Sequence, residues 1–258
     1  MSDGAVAPSE PGLGVTLGEL YRLFKLTVRC CLEGGLERGA VLRQMYEIGN
    51  RSLVFLCIVM GFMGMILTYQ AGLQTQRVVP DLSLLGATFL ELLVRDLAAS
   101  ICALMLATRV GAGIAAEIGS MVVTEQVDAL HMCGADPIKY LVCPRFLASL
   151  AMFVMLVVLA ACVAVATGAW TASAFFGLNP RTFLNLSLLS APDVIVGVTK
   201  CFAYGAAIPV ISAHAGLTAF GGSEGVGSAT TRAVVGSSLA VIVLNFIISG
   251  TSYLIFGP

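Results

Sequence analysis

The stretch FLASLAMFVMLVVLAACVAVATGAWTASAFF, from Phe146 to Phe176, contains no charged side chain. A membrane-spanning helix needs about 20 consecutive apolar residues, and this stretch exceeds that length. It is long enough to tilt in a bilayer or to include a short turn outside it. Backbone groups in lipid must hydrogen-bond within their own segment, so the stretch is predicted to be helical.

Four other apolar segments share this character, and together they dominate the composition. The chain is 58% hydrophobic and 11% charged, whereas a soluble domain carries about a quarter charged residues. The five predicted spans cover residues 52–69, 84–107, 146–176, 194–217 and 233–256. We therefore predict an all-α membrane protein with five transmembrane helices.

The region ahead of the first span, residues 17–50, is amphipathic. Leu20 and Phe24 lie on one face at helical spacing, and Arg22 and Lys25 lie on the other. Basic amphipathic helices of this kind lie in the membrane interface. An ordinary pair of solvated helices would show the same pattern, but the immediate join to a span favours the interfacial interpretation.

Two further boundaries complete the predicted organisation of the chain. Residues 1–16 are polar and rich in Pro and Gly, and they lack the apolar core of a signal peptide. We predict a disordered tail there. Residues 51–258 form the five-span membrane domain, which includes a cytoplasmic region over residues 109–145.

Lysine and arginine accumulate on one side of the predicted bilayer. Outside the spans, ten lie on the side of the N-terminus and two, Arg77 and Arg181, lie on the opposite side. The positive-inside rule therefore places the N-terminus and residues 109–145 in the cytoplasm. An odd number of spans then places the C-terminus on the outer side.

Charge and cysteine usage exclude several classes of function. A net charge of −1 argues against a nucleic-acid partner. None of the eight cysteines forms a CxxC pair, and most lie in apolar runs, which is typical of small buried side chains. The two histidines, His131 and His214, are too few and too far apart in sequence to indicate a metal site.

The polar stretch TEQVDALHMCGADPIKY, from Thr124 to Tyr140, interrupts this apolar chain. We predict that Thr124 caps a short helix over residues 125–133, roughly 14 Å long, that stops at Gly134. Such a helix is too short to be stable alone and must dock on something. It either packs on its own bundle as a connector or projects into a groove on a cytoplasmic partner, and composition leaves both open.

A five-residue match to G-x-S-x-G, Gly221 to Gly225, suggests a serine hydrolase with Ser223 as nucleophile and His214 as base. That motif requires a strand before the serine and a helix after it. Here a predicted membrane helix precedes Ser223 and a glycine-rich loop surrounds it. We therefore expect a flexible linker in this position.

Two long blocks resemble the signatures of the MlaE (YrbE) family of ABC-transporter permeases. They are RVGAGIAAEIGSMVVTEQVDALHMCGADPIKYLVCPR, from Arg109 to Arg145, and GGSEGVGSATTRAVVGSSLAVIVLNF, from Gly221 to Phe246. The resemblance implies a homodimeric inner-membrane permease that moves phospholipid or a related lipid. It also implies two ATP-binding subunits, a periplasmic MCE-domain protein and, as an open possibility, a small regulatory subunit.

The short polar helix resembles the coupling helix of that family, which is seated on the ATP-binding subunit. The candidate coupling residues are Glu125, Gln126, Asp128, Leu130 and Arg232. The chain itself offers no phosphate-binding loop, because its three lysines follow Phe24, Ile138 and Thr199 rather than glycine. We therefore expect no cofactor on this chain and ATP on a separate subunit.

Charged residues inside the predicted spans are the candidate lipid-binding groups. A charge at the bilayer centre costs about 2.5–3.5 kcal/mol and is usually functional. Arg95 and Asp96, with Glu91 one turn earlier, lie in the second span and Lys200 lies in the fourth. Arginine grips a phosphate with two hydrogen bonds. The alternative is that Arg95 pairs with Asp96 and that Lys200 reaches the outer interface.

An apolar wall beside these charges would accommodate acyl chains. Methionine adapts to varied shapes, and the first span supplies several methionines and other apolar side chains. The wall consists of Met60, Phe62, Met63, Met65 and Ile66, and we predict that Met63 and Ile66 contact the lipid.

An ion-driven secondary transporter is a third possible class, with Arg95, Asp96 and Lys200 as a charge relay. Internal repeats often mark such proteins. The two halves of this chain show no convincing repeat, and five spans divide badly into equal halves.

Overall fold

A computed structural model describes residues 13–33, 38–78, 84–185 and 187–256, and over those ranges the chain is helical without any β-strand. This confirms the all-α prediction. The helices are α1 (Leu13–Glu33), α2 (Arg38–Val78), α3 (Leu85–Leu92), α4 (Ala98–Leu106), α5 (Ala112–Val123), α6 (Gln126–Met132), α7 (Cys143–Phe176), α8 (Pro180–Phe183), α9 (Ala191–Leu217) and α10 (Gly222–Phe256).

Four helices of the described ranges are long and apolar enough to cross a bilayer. Their segments are Gly39–Arg77, Ile138–Phe176, Ala191–Leu217 and Gly222–Ile255. They contain four of the five predicted spans. The third predicted span forms one uninterrupted helix, α7, rather than a helix with a turn outside the membrane.

The remaining predicted span, residues 84–107, belongs to a helical run that continues from α3 through α5. Two π-helical segments, Leu93–Leu97 and Ala107–Gly111, join α3 to α4 and α4 to α5. A π-helical turn holds an extra residue and is often found at functional sites. The first of these segments carries Arg95 and Asp96.

The N-terminal boundaries differ from the predicted ones. Helix α1 begins at Leu13, inside the segment predicted as a disordered tail, and residues 1–12 lie outside the described ranges. The amphipathic region predicted over residues 17–50 is divided between two helices. Its second part belongs to the same continuous helix as the first span, because nothing breaks α2 between Arg38 and Val78.

The last helix also begins earlier than predicted. Helix α10 starts at Gly222 rather than at Ala233, so the predicted flexible linker is the first turn of a helix. At Gly225 a Cβ atom would overlap the carbonyl oxygen of Phe220. Only glycine allows this close return of the chain.

Close packing of helices α2 and α7 depends on small residues. A Cβ at Gly64 would overlap the Ala164 carbonyl oxygen, and a Cβ at Gly168 would lie 2.7 Å from the Thr68 Oγ1 atom. Small residues at helix contacts are a common way for membrane helices to approach closely. Helix α9 packs on α7, α10 and α5, and α1 contacts both α7 and α9.

Small residues at positions 111–119 pack closely against α9 and the residues just after it. A Cβ at Gly111 would lie 3.0 Å from the Ser212 Oγ atom, and one at Gly119 would lie 3.3 Å from the Ala219 Cβ atom. Ala115 between them is completely buried. This contact fixes the helical run from α3 to α5 against the centre of the bundle.

Candidate ligand and coupling sites

A half-buried ion pair joins α9 to the first π-helical segment. Lys200 of α9 has no exposed surface, and its Nζ atom lies 2.5 Å from the Asp96 Oδ1 atom. A buried ammonium group is costly unless it is paired and hydrogen-bonded. The pairing therefore explains how the helix tolerates a lysine at this depth.

The ion pair is part of a polar network that joins three helical segments. The Lys200 Nζ atom also donates to the Ser249 Oγ atom at 2.8 Å. The Tyr204 hydroxyl donates to Asn245 Oδ1 at 3.1 Å, and Ser249 donates to the same oxygen at 3.4 Å. Asp96, α9 and α10 are thus connected through hydrogen bonds in a low-dielectric environment, where such bonds are strong.

Arg95 also pairs with a residue of α9, but with Asp193 rather than Lys200. Its Nη1 atom lies 3.6 Å from Asp193 Oδ1, and Asp193 is almost completely buried. The other oxygen of Asp193 accepts hydrogen bonds from the backbone and hydroxyl of Ser190, which forms a capping box at the start of α9. The N-terminus of α9 is therefore tied to the π-helical segment.

These contacts differ from both alternatives given by the sequence, an Arg95–Asp96 pair and a Lys200 side chain that reaches the outer interface. Arg95 and Asp96 do not pair with each other, because each pairs with a residue of α9. Asp193 and Lys200 are seven residues apart, two helical turns, and so lie on one face of α9. Lys200 does not reach outward to the membrane surface, since it is completely buried.

Two of the paired side chains remain partly exposed on this chain. The side chains of Arg95 and Asp96 are 32% and 36% exposed. Glu91, one turn earlier, is also only partly buried. The charged cluster, defined as Arg95, Asp96, Asp193 and Lys200, is therefore partly exposed on this chain through Arg95 and Asp96.

The predicted apolar wall of α2 is divided between two faces of the helix. Met60 is completely buried in the core, whereas Phe62 and Ile66 are 59% and 48% exposed. Met63 is partly buried. Phe62 and Ile66 are four residues apart and so form an outer face, from which Met60 points away.

Helix α6 begins at a left-handed residue. Glu125 has φ 59° and ψ 14°, and it precedes Gln126 as the cap of α6 without a capping hydrogen bond from its side chain. The prediction that Thr124 caps this helix was wrong. The Thr124 hydroxyl instead donates to the Ser120 carbonyl at 2.8 Å and so closes the end of α5.

The two faces of α6 have different surroundings. Val127 is 9% exposed and packs on this chain, and Leu130 is partly buried. Gln126 and Asp128 are exposed, and Met132 is 88% exposed. The helix thus docks on its own bundle by one face and leaves a mixed polar and apolar face uncovered.

A cleft of about 1340 Å³ lies beside α6, between the start of α2, α5 and the chain after α6. One wall contains an ion pair between Arg145 Nη2 and Glu117 Oε2, at 2.8 Å. Arg145 is 5% exposed, and it also donates to the Leu141 carbonyl at 3.1 Å. The ion pair holds α7 and α5 together at the base of the α6 segment, and the bond to Leu141 fixes the Arg145 side chain along its own helical run.

The remaining sequence candidates are separated from this arrangement or lack the required geometry. Exposed Arg232 donates to the Thr218 carbonyl at 3.4 Å. Ser223 lies in the first turn of α10, and no strand precedes it in the described part of the chain, so the hydrolase elbow is not formed. His214 Nε2 lies 3.4 Å from Glu19 Oε2.

Several residues of the sites were not identified from sequence. Asp193, Asn245, Ser249 and Tyr204 complete the charged cluster and its network, and Met132 dominates the uncovered face of α6. Of these residues, only Asp193 could have been found from the sequence, because Ser190 and Asp193 have the spacing of a capping box. Among the described residues no group of three His, Cys, Asp or Glu side chains has an arrangement that could hold a metal ion.

Comparison with known proteins gives a consistent set of relatives. The family model described as Permease MlaE matches residues 41–251. A probable ABC transporter permease protein of Synechocystis is 39% identical over 220 residues, which is 84% of this chain and 83% of the relative. One of Rickettsia typhi is 35% identical over 233 residues, covering 89% of this chain and 90% of the relative.

A plant protein is also similar. The protein TRIGALACTOSYLDIACYLGLYCEROL 1, chloroplastic, of Arabidopsis thaliana is 33% identical over 220 residues, covering 84% of this chain and 63% of the relative. The family match begins inside α2 and ends inside α10. It therefore includes both the charged cluster and α6.

Proposed function

This chain belongs to the MlaE permease family, and from that premise we propose that it is the lipid-moving membrane subunit of an ABC transporter. It moves phospholipid or a related hydrophobic lipid between the inner membrane and a periplasmic MCE-domain protein. ATP hydrolysis on a separate subunit drives the movement. The observation that carries this proposal is the charged cluster, in which Asp193 and Lys200 are buried while Arg95 and Asp96 stay partly exposed.

The chemistry of the cluster supports an anionic lipid headgroup as the ligand. Arg95 is one-third exposed and pairs with Asp193 at 3.6 Å, so its guanidinium keeps donors free for a phosphate. The Asp96–Lys200 pair holds the segment that carries Arg95 against α9. The name of the Arabidopsis relative contains a galactolipid name, which also supports a lipid.

Exposure of charge supports a homodimer. Partly exposed Arg95 and Asp96 would face hydrocarbon in a lone chain, at a cost of a few kcal/mol. The neighbouring α10 is also largely uncovered, with Phe246 81% and Leu239 60% exposed. A second copy over this face would enclose a chamber with charged groups and apolar walls, in which Met63 and Ile66 are the proposed acyl-chain contacts.

The helical run from α3 to α5 is the proposed fifth span. The run carries five charged residues, Glu91, Arg95, Asp96, Arg109 and Glu117. Arg95 and Asp96 are paired within the bundle. At 1.5 Å per residue, the run from Leu85 to Val123 is about 58 Å long, which exceeds the roughly 30 Å hydrocarbon layer. Its end therefore projects into the cytoplasm and carries α6, with the N-terminus cytoplasmic and the C-terminus periplasmic.

Helix α6 is the proposed contact with the ATP-binding subunit. Its uncovered face offers Glu125, Gln126 and Asp128 for polar contacts and Met132 as an apolar anchor, whereas Val127 fixes α6 to the bundle. Movement of the ATP-binding subunits would pass through α6 to α5. Leu130 and Arg232 are the proposed edges of this contact.

The resemblance to the MlaE family supports the MCE-domain protein as lipid donor or acceptor, and it leaves room for a small regulatory subunit. The nucleotide binds on the partner. This chain contributes the lipid site and the mechanical link between that site and the ATP-binding subunit.

Photo-crosslinking from α6 tests the proposal. A photoreactive residue replacing Asp128 or Met132 is expected to capture an ATP-hydrolysing subunit, whereas one replacing Val127 is expected to capture this chain. Lipid extracted from the purified complex identifies the cargo. Capture of only this chain from positions 128 and 132 would refute the coupling assignment, and purification without bound lipid would refute the lipid assignment.

A further inference from the structure

Three cysteines meet where α1 packs on α7. The Cys143 Sγ atom lies 3.7 Å from the carbonyl oxygen of Thr27, which is completely buried. A helical carbonyl points toward the residue four positions later, so Cys143 lies beside the next turn of α1, which contains Cys30 and Cys31. The Cys31 and Cys143 thiols are within hydrogen-bonding reach of each other.

The three thiols differ in accessibility. Cys30 and Cys31 are partly exposed, whereas Cys143 is completely buried at the start of α7. A solvent-accessible thiol next to a second thiol is a common arrangement of a redox-sensitive cysteine and its resolving cysteine. We propose that this cluster is an oxidative modification site at which a hydroperoxide links α1 to α7 through a disulfide involving Cys143.

The reaction has two balanced steps. Cys31 attacks the hydroperoxide, breaks its O–O bond and becomes a sulfenic acid, while the alcohol or water leaves. The Cys143 sulfur then displaces water from that sulfenic acid and forms the disulfide. Two thiols lose two hydrogens, and the hydroperoxide accepts both electrons.

The surroundings of Cys31 determine how the reaction depends on pH. Burial raises the pKa of the Cys31 thiol, an effect that the hydrogen bond with Cys143 partly offsets and that neighbouring Cys30 adds to. Burial also raises the pKa of the Cys143 thiol. The thiolate is the attacking species. A raised pKa leaves little thiolate at neutral pH, so the rate rises roughly tenfold per pH unit until the pKa is reached.

The link would strengthen an attachment that already exists. Near the cluster, the rings of Phe24 and Phe146 lie 6.2 Å apart, centre to centre, and at the other end Glu19 meets His214. A disulfide from α1 to Cys143 closes a loop of more than a hundred residues and restricts the unfolded chain. Oxidation is therefore expected to raise the melting temperature by several degrees and to fix α1 on the bundle.

The test uses the full-length protein in membranes, with the exposed Cys133 and Cys162 replaced by serine to prevent links between molecules. Hydrogen peroxide is added, free thiols are blocked, and peptides are mapped without reduction. A peptide pair joining α1 to Cys143 is expected, with faster formation at higher pH. The C143S variant should instead accumulate sulfenic acid on α1 that dimedone traps, and C57S should behave as the parent protein.

Three results would overturn the proposal. They are a disulfide only between Cys30 and Cys31, a sulfenic acid that persists beside an unreacted Cys143, and no oxidation at any of the three positions. The readout is a covalent link rather than transport, so failure of the lipid assignment would leave it intact.

Discussion

The Arg145 Nη2 atom lies 2.8 Å from the Glu117 Oε2 atom, and this ion pair joins α7 to α5 on either side of α6. Arg145 is almost completely buried, whereas the side chain of Glu117 is 49% exposed. The pair closes the base of the segment that carries the proposed coupling helix. A push on α6 would therefore reach two helices of the bundle together.

Removal of this pair should loosen the base of α6. R145A loses the ion pair and the bond to the Leu141 carbonyl, and we expect the free energy of unfolding to fall by about 2 kcal/mol. The half-exposed partner keeps the effect below that of a fully buried pair. Thermal unfolding of the detergent-solubilised protein measures it. R43A is the matched control, because Arg43 is highly exposed and its 3.7 Å pair with Glu47 should contribute little.

Variants of the Lys200–Asp96 pair can show whether it contributes to stability alone or also to lipid binding. D96N leaves a fully buried ammonium without its counter-charge and should destabilise the protein by about 3 kcal/mol, whereas K200M leaves a partly exposed carboxylate and should cost less. The double variant K200M/D96N should regain most of that stability. Lipid binding should remain impaired in all three. Full recovery of lipid binding in the double variant would show that the pair is only structural.

Replacement of Gly64 should push α2 away from α7. G64A places a methyl group against the Ala164 carbonyl and should cost about 1–3 kcal/mol. G113A is the control, since no atom lies within 4 Å of its new methyl group and alanine favours a helix. Equal melting temperatures for the two variants would contradict the packing described for α2 and α7.

Because Glu125 has a left-handed backbone, substitutions there can test the contribution of its backbone conformation separately from that of its carboxylate. E125G relieves a strain of roughly 1–2 kcal/mol and should keep or raise stability, whereas E125V should lower it. Loss of the carboxylate should weaken coupling in both variants, and the reversed charge of E125K should uncouple ATP hydrolysis from lipid movement. Reconstituted complexes allow both rates to be measured. Normal coupling in E125K would remove Glu125 from the proposed contact.

Replacement of Ser223 separates the transporter from the hydrolase hypothesis. S223A changes an exposed side chain in the first turn of α10, and transport and stability should remain within error of the unmodified protein. Hydrolysis of an ester substrate is the comparison assay. An esterase activity that disappears in S223A would restore the enzyme hypothesis.

Much of the fold could be predicted because lipid imposes a simple rule on sequence. Long apolar runs must be helices in a bilayer, and four of the five predicted spans lie inside helices of suitable length and composition. Helix ends were predicted less well. Arg38 and Gly222 begin helices well before the apolar runs start, because a helix continues into water wherever its backbone bonds are maintained.

The sites show the same division. The sequence by itself determined that Arg95, Asp96 and Lys200 are unusual, since each is a charge in an apolar run, and it determined that residues 124–140 are a polar island. Only the tertiary structure decided that Asp96 pairs with Lys200 and Arg95 with Asp193, and that Val127 faces inward while Met132 faces outward. The reason is physical: hydropathy depends on each residue alone, whereas an ion pair or a buried face depends on how separate helices are placed in space.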